Sequence, residues 1–396
     1  MGSELENPGF EGSALFSQGF RPFFLFGSVF TAVAVLFWVP AFEGRQELLT
    51  VFLPVDWHIH EMLFGYLPAV LTGFLLTAIP NWTGRLPIRG RSLILLFSLW
   101  VAGRLAVMMS GFIGVYVTAI IDCSFLAVVA FMAGWEIVAG RNWRNLKILV
   151  PILTLLVANI LFHYEVSTEG QADYARRLGL SAALILIMLI GGRIIPEFTR
   201  NWLVRENPGR LPLPFNGSDL SIVLLSIIAL ILWIAKPAET ITGISLLFAG
   251  CLNVFRLGGW AGDRAFKNPL VLFLHLSFLF IPLGFSLIGT SIIWPGIIPQ
   301  AAGIHAFGAG AIGSMTLSVM TRATLGHTGQ PLVAGAGEQA IFVGVVLSTM
   351  CRIIGSLDIL SSAYLIHISG VIWACTFLGF ALLHAPTMLT PRSTET

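Results

Sequence analysis

The chain has 396 residues, of which 56% are hydrophobic and only 11% are charged, and its formal net charge is +2. An average soluble domain carries about 25% charged residues, so this composition excludes an ordinary soluble protein and indicates a polytopic membrane protein. The small net charge, with basic residues in short clusters between apolar runs, also excludes a nucleic-acid partner.

Apolar runs long enough to cross a bilayer recur along the whole chain, since a spanning helix needs about 20 such residues. The sequence therefore predicts an all-α polytopic membrane bundle of about twelve transmembrane helices. The polar segment 197–217 is predicted to be a cytoplasmic loop that joins two six-helix halves, 1–196 and 218–396. The predicted helices are 22–42, 57–80, 91–110, 113–139, 146–164, 175–195, 218–236, 240–258, 269–291, 299–321, 339–356 and 358–384.

The basic residues predict the orientation of these helices. With a cytoplasmic N-terminus, 16 of the 22 basic residues fall inside and six fall outside, as the positive-inside rule requires. Both termini are therefore predicted to be cytoplasmic. The six outer residues are Arg45, Arg104, Arg176, Arg177, Lys236 and Arg352.

A faint internal repeat links the cytoplasmic ends of helices two and six. One reads Ala78-Ile-Pro-Asn-Trp-Thr and the other Ile194-Ile-Pro-Glu-Phe-Thr. Because proline lacks a backbone donor, each helix is expected to stop at this point.

Each of the eight histidines is a candidate site residue, because ionisable side chains are costly inside a membrane. A transition metal or a haem iron needs neutral imidazoles from helices that converge. His275, within helix nine, is either a ligand or a structural residue. On the predicted topology four histidines lie in the outer half of the bundle: His58, His60, His163 and His305.

The other three histidines have weaker contexts. His367 lies mid-span, where we expect a structural role. His327 in a cytoplasmic loop and His384 at the end of the last helix are explained by solvation alone.

Helix ten combines a histidine with small residues. Ala309, Gly313 and Thr316 follow His305 at successive helical turns and share its face. Such a face is suited to receive a ring system such as haem, and close helix packing is the alternative explanation.

Helix two carries two histidines with a geometric restriction. His58 and His60 are two residues apart, about 200° around a regular helix, so they cannot point the same way. Either they serve two sites, or the segment before Glu61 is not helical and both turn toward one metal. A further alternative is an interfacial belt, in which Trp57 anchors the helix and Asp56 caps it.

Four other charged residues lie within or at the ends of spans. Glu61 and Asp122 are candidates for a proton route from the outside, while a hydrogen bond between helices is the alternative for Asp122. Arg104 and Arg352, at outer helix ends, are candidates to hold carboxylates such as haem propionates, with extension to the lipid headgroups as the alternative.

Five motifs in chain order resemble the NnrS family. The resemblance extends over nearly the whole chain and implies a twelve-helix protein of the bacterial inner membrane that contains one or more haem b groups. It further implies copper as a second metal and a role in nitric oxide metabolism and nitrosative-stress defence. The motifs are Phe20-Arg-Pro-Phe-Phe-Leu25, Trp57-His-Ile-His-Glu-Met-Leu-Phe-Gly65, Pro80-Asn-Trp-Thr-Gly84, Arg193-Ile-Ile-Pro-Glu-Phe-Thr-Arg-Asn-Trp202 and Met320-Thr-Arg-Ala-Thr-Leu-Gly-His-Thr-Gly329.

The resemblance also implies metal-binding residues. A metal-binding role for His327 is implied by the resemblance alone. The loop that is predicted to hold His327 either folds back on the bundle or meets an electron donor. Gln330 departs from the family's Gly-Arg-Pro-Leu pattern. The histidines that match the family pattern are His58, His60, His275, His305 and His327.

Three functions are compatible with these features. The leading hypothesis is a haem-dependent enzyme that reduces nitric oxide to nitrous oxide in the outer half of the bundle, with protons entering through Glu61 and Asp122. Electrons would come from a quinol or a small redox protein, because the chain has no c-type haem motif. The alternatives are a non-catalytic haem protein that senses or sequesters nitric oxide, and a transporter.

Overall fold

The chain forms a bundle of long apolar helices. The structure, a computed structural model, describes residues 12–357 and 362–391. Twelve helices in these ranges are long and apolar enough to span a membrane, and neither range contains a strand. The predicted polytopic all-α architecture is therefore confirmed, whereas the orientation of the termini stays a prediction.

The twelve spanning helices alternate in direction through the bundle. In chain order they are α1 (Phe20–Phe42), α2 (Pro54–Thr83), α3 (Arg91–Met108), α4 (Val115–Ala139), α5 (Trp143–Glu169), α6 (Tyr174–Glu206), α7 (Gly217–Ala235), α8 (Thr240–Gly258), α9 (Pro269–Ile293), α10 (Gln300–His327), α11 (Ala336–Ser356) and α12 (Ala363–Leu389).

Two helices continue past prolines that were expected to end them. Helix α2 continues past Pro80 and helix α6 continues past Pro196, so the expected proline stops are wrong. Prolines are tolerated inside membrane helices because neighbouring helices and side chains satisfy the freed backbone groups. The segment predicted as a loop from residue 197 is helical as far as Glu206. The predicted start of helix twelve, 358–361, lies outside the described residues.

The start of α1 and the end of α12 lie at the same face of the bundle. The buried guanidinium of Arg21, at the start of α1, donates hydrogen bonds to the carbonyl oxygens of Met388 at 3.2 Å and Thr390 at 2.8 Å, where α12 ends. We call this end of the bundle the terminal face, and the other end the opposite face. Under the positive-inside rule the terminal face is the cytoplasmic one.

Two helices contain a π-helical stretch directly after a histidine. In α2 it covers Glu61–Tyr66 and follows His60, and in α10 it covers Ala306–Gly313 and follows His305. The wider i→i+5 turn changes which side chains share a face, and such stretches are frequent at functional sites. Both stretches lie toward the opposite face.

Two histidines at the terminal face differ from expectation. His327 is the last residue of α10, not a loop residue, and its ring lies 5.7 Å from that of Phe20. His384 is only 2% exposed inside α12, with its ring 4.8 Å from Phe380, so solvation does not account for it. The last helix continues beyond its predicted end, which encloses His384 in the bundle.

Candidate functional site

Helix α2 directs its two histidines to different places. It is a regular helix from Pro54 to His60, so the alternative in which the segment before Glu61 is not helical is wrong. His58 lines a cavity, whereas His60 lies in a buried polar network. The helical spacing that separates the two side chains thus assigns them to two sites.

The cavity lies toward the opposite face, enclosed by helices from both halves of the chain. It contains about 930 Å³ of non-atom space, part of it open to the surroundings. We call it the histidine cavity. Its wall includes Trp38, His58, Tyr66, Arg176, His305, Gly308, Ala309, Ile312, Arg352 and Trp373.

His305 is oriented by its own helix. Its Nδ1 lies 2.6 Å from the carbonyl oxygen of Ala301 and 3.3 Å from Oγ of Ser356. An Nδ1–H that donates to a backbone carbonyl leaves Nε2 as the ligand atom, which is the usual arrangement of a metal-binding histidine. Nε2 of His305 bonds to no described residue, so it is available to a ligand in the cavity.

His58 is held by stacking instead of by hydrogen bonds. Its ring is stacked on the indole of Trp38, with centroids 4.2 Å apart and an interplanar angle of 22°. Its Nδ1 is buried and has no hydrogen-bond partner in the described part of the chain. Because buried polar atoms are normally paired, this unpaired nitrogen sets His58 apart from His60.

The wall formed by α10 is flat beside His305. Gly308 and Ala309 line the cavity, and a Cβ added at Gly308 would meet no heavy atom within 4 Å. Gly313, predicted to share this face, instead packs on Trp373, whose Cη2 would lie 2.5 Å from an added Cβ. Gly313 therefore faces α12, which carries Trp373, whereas Gly308 faces the cavity.

One cation in the cavity wall lacks an anionic partner. The guanidinium of Arg352 lies 5.3 Å from the ring centroid of Trp38 and forms no ion pair with any described residue. Arg176 also lines the cavity but pairs with Asp173 at 2.5 Å. Arg352 therefore remains able to hold a carboxylate, as the sequence predicts.

On the other side of α2, Arg104 binds two carboxylates. Its Nη1 donates to Oε2 of Glu61 at 2.7 Å and to Oε1 at 2.8 Å, and its Nη2 donates to Oδ1 of Asp122. All three side chains are buried. Arg104 thus does not extend to the headgroups, and the carboxylates that it binds belong to the chain itself.

Two histidines and an amide complete this network. Nε2 of His163, Nε2 of His60 and Nδ2 of Asn159 lie 3.1, 3.2 and 2.8 Å from Oδ2 of Asp122. Nδ1 of His60 lies 3.2 Å from Oε1 of Glu61. We call these residues, together with Arg104, the carboxylate network. His60, Asp122 and His163 place their ligand atoms within 4.8 Å of one another, as a metal site requires.

The carboxylate network holds two carboxyl groups and one guanidinium. The carboxyl groups are those of Glu61 and Asp122, and the guanidinium is that of Arg104. A further cation at this place could be a proton on His60, whose two ring nitrogens both face carboxyl groups, or a metal ion at His60, Asp122 and His163.

Other predicted ligands lie far from the histidine cavity. His275 is near the start of α9 at the terminal face, with its Nε2 2.9 Å from Oγ1 of Thr199. The rest of α9, from His275 to Ile293, spans about 27 Å. His327 is also at the terminal face, so neither residue meets His58 or His305.

Several contributors were not selected from the sequence. Asn159 stands one helical turn before His163, a spacing that offered a signal, whereas nothing in the sequence marked Trp38. Asp56 does not cap α2; its Oδ1 accepts from the backbone N–H of Ala172 at 3.4 Å, and the N-cap is Leu53.

His367 was predicted to lie mid-span, but it lies near the start of α12 and is partly exposed. Nε2 of His367 lies 2.5 Å from Oε1 of Glu43, and the His367 side chain is 39% exposed. This pairing fits the structural role expected for His367.

Comparison with known proteins gives the family of the chain. A search of curated proteins finds no match to the chain. A family model described as NnrS protein matches residues 14–392, which is nearly the whole chain and includes both the histidine cavity and the carboxylate network. The chain is therefore a member of the NnrS family.

Proposed function

We propose that the chain is a haem-dependent oxidoreductase that reduces nitric oxide to nitrous oxide at the histidine cavity. Membership of the NnrS family supports a membrane protein of nitric oxide metabolism. The observation that carries the proposal is the presence of two imidazoles, His58 and His305, with unbonded ring nitrogens in one cavity. In this reaction two NO molecules, two electrons and two protons give one N₂O and one water.

The residues of the cavity fit a haem. His58 and His305 would hold the iron, Arg352 would pair with a propionate, and the flat surface at Gly308 and Ala309 would receive the macrocycle. When bound, haem supplies the redox chemistry, and the protein supplies ligands and orientation. The Trp38 ring fixes the plane of His58, so this ligand is oriented in advance.

The apolar wall of the cavity suits the substrate. Ile304, Ile312 and Ile366 line it together with Trp373. Nitric oxide is small, neutral and soluble in lipid, so it can enter from the bilayer without a polar tunnel. The same side chains disfavour water and charged competitors.

We assign the supply of protons to the carboxylate network. His60 can hold a proton between Glu61 and Asp122, one helix width from the cavity. As a further part of the proposal, His60, Asp122 and His163 would hold a second metal such as copper, for which imidazole is a suitable ligand. The proposed electron donor is a quinol or a small redox protein, and the proposed location is the bacterial inner membrane.

The test of the enzyme proposal is turnover by the purified protein. With full haem occupancy, a reductant and NO, it should produce N₂O. Replacement of Glu61 or Asp122 by its amide should lower turnover by about 10²- to 10⁴-fold without loss of NO binding. Glu136→Gln is the control, because that carboxylate is paired with Arg85 away from both sites. Absence of N₂O from haem-replete protein would reject the proposal.

One observation favours a second candidate, a haem protein that binds NO without turnover. The hydrogen bonds of the carboxylate network, among the residues that the structure describes, join its own members and reach no side chain in the cavity wall. A binding protein needs no proton supply. In that case the Glu61 and Asp122 variants would bind NO normally, and the unmodified protein would show no turnover to lose.

A further inference from the structure

A second large cavity opens at the terminal face, between the two halves of the chain. It contains about 1960 Å³ of non-atom space, part of it continuous with the surroundings. Its wall comes from α2, α5 and α6 of the first half and from α7, α9 and α10 of the second. We call it the terminal cavity.

Four basic side chains line the terminal cavity, and we call them the basic cluster. None of the four forms an ion pair with a carboxylate anywhere in residues 12–357 or 362–391, and Glu197 is the single acidic residue in the cavity wall described here. The positive charge of the basic cluster is therefore available to an anionic ligand. Its members are Arg144, Lys147, Arg193 and Arg322.

Two members of the basic cluster are held in place from the interior of the bundle. The guanidinium of Arg322 lies 3.8 Å above the ring of Phe198, and Arg322 is only partly exposed. Nη1 of Arg193 donates to Oδ1 of the buried Asn145 at 3.2 Å. These contacts hold the two guanidinium groups in place, and each group has further N–H donors for a ligand. If these two arginine side chains only extended into the lipid headgroup layer, they would not need such contacts.

The rest of the wall is largely apolar. Phe74, Met188, Leu274, Val319 and Leu332 line the cavity alongside the basic cluster. A small inorganic anion would not contact these apolar side chains. An amphiphile can contact both surfaces, because its phosphate group binds the basic cluster and its hydrocarbon chains pack on the apolar side chains.

We propose that the terminal cavity binds an anionic phospholipid, with its phosphate held by the basic cluster and its acyl chains against the apolar wall. Basic pockets between membrane helices on the cytoplasmic side recognise such headgroups. Because both halves of the chain line the cavity, the bound lipid joins them at this end of the bundle.

The test uses delipidated, purified protein and native mass spectrometry. Phosphatidylglycerol should bind, whereas phosphatidylcholine with the same acyl chains should bind much more weakly. In Arg193→Gln/Arg322→Gln, affinity for phosphatidylglycerol should fall about fivefold for each charge removed. Arg200→Gln is the matched control, because Arg200 is an exposed residue of the same helix as Arg193 outside the cavity wall, and this variant should bind normally.

Three results would overturn the proposal. They are equal affinity for the two lipids, an equal loss in the Arg200→Gln control, and displacement of the lipid by inorganic phosphate at matched concentration, which would indicate a site for free anions. If the Arg193/Arg322 variant does not fold, Arg144→Gln/Lys147→Gln removes two exposed charges from the same cluster. Unchanged lipid binding in that variant would also reject the proposal.

Discussion

The two sides of helix α2 differ in how far their polar atoms are satisfied. On one side, His58 makes no hydrogen bond to the described residues, and it faces His305 and open space. On the other, His60 meets carboxylate or amide oxygens at both ring nitrogens, in a packed interior. The His58 imidazole is therefore available to a ligand in the cavity. Both ring nitrogens of His60 are already used within the carboxylate network.

This contrast explains why two histidines so close in sequence do not form one site. A regular helix sends His58 and His60 in opposite directions, and each environment is completed by different helices. For His58 these are α1, α6, α10, α11 and α12, and for His60 they are α3, α4 and α5. The variants below test the contrast, from the largest expected effect to the smallest.

Arg104→Met should have the largest effect on stability. It leaves Glu61 and Asp122 buried without their cation, and removing one partner of a buried ion pair costs about 3–5 kcal/mol. Thermal unfolding of the purified protein measures the loss. Arg85→Met removes an exposed arginine that pairs with Glu136, and it should change little. Equal effects of the two variants would show that Arg104 does not stabilise the two buried carboxyl groups.

Gly308→Leu should fill the histidine cavity while the protein still folds. A Cβ at this position meets nothing within 4 Å, so the added side chain extends into the open space. Overpacking against a bound ring costs about 1–3 kcal/mol, which weakens haem binding by about tenfold or more. Haem content per protein is the measurement. Gly258→Leu, at an exposed position with equal room, is the control, and an equal loss of haem there would contradict this account.

Tyr66→Phe should have the smallest effect. The phenol of Tyr66, which lines the cavity, lies 2.7 Å from Oγ1 of Thr316. Loss of this hydrogen bond should cost about 1 kcal/mol of stability. Combining it with Thr316→Val in a double-mutant cycle isolates the pair. Additive losses would mean that the hydrogen bond does not couple the two residues.

Much of the fold could be predicted from the sequence, because apolar runs of bilayer length leave few alternatives to spanning helices. The ends of helices were less predictable. Pro80 and Pro196 are typical helix breakers in water, but each lies inside a membrane helix here. In a third helix, α10, His327 is the last helical residue, whereas the sequence indicated a loop there.

The candidate site was predictable only where helical periodicity applied. The separation of His58 from His60 follows from two residues of helical rotation and needs no tertiary information. The packing of Gly313 against Trp373 did not follow from periodicity, because it depends on how α12 lies against α10. The partners of Asp122 come from α2, α3 and α5, and pairing between helices distant in sequence is a property of packing.

The most direct test of the central claim is the optical and EPR spectrum of the purified protein and its histidine variants. His58→Gln and His305→Gln should lose haem or change the coordination number of the iron, whereas His60→Gln should retain the haem signals of the unmodified protein. His367→Gln, at a partly exposed pair with Glu43, is the control for folding. Changed haem signals in His60→Gln, together with unchanged haem signals in both cavity variants, would contradict the assignment of the two sites.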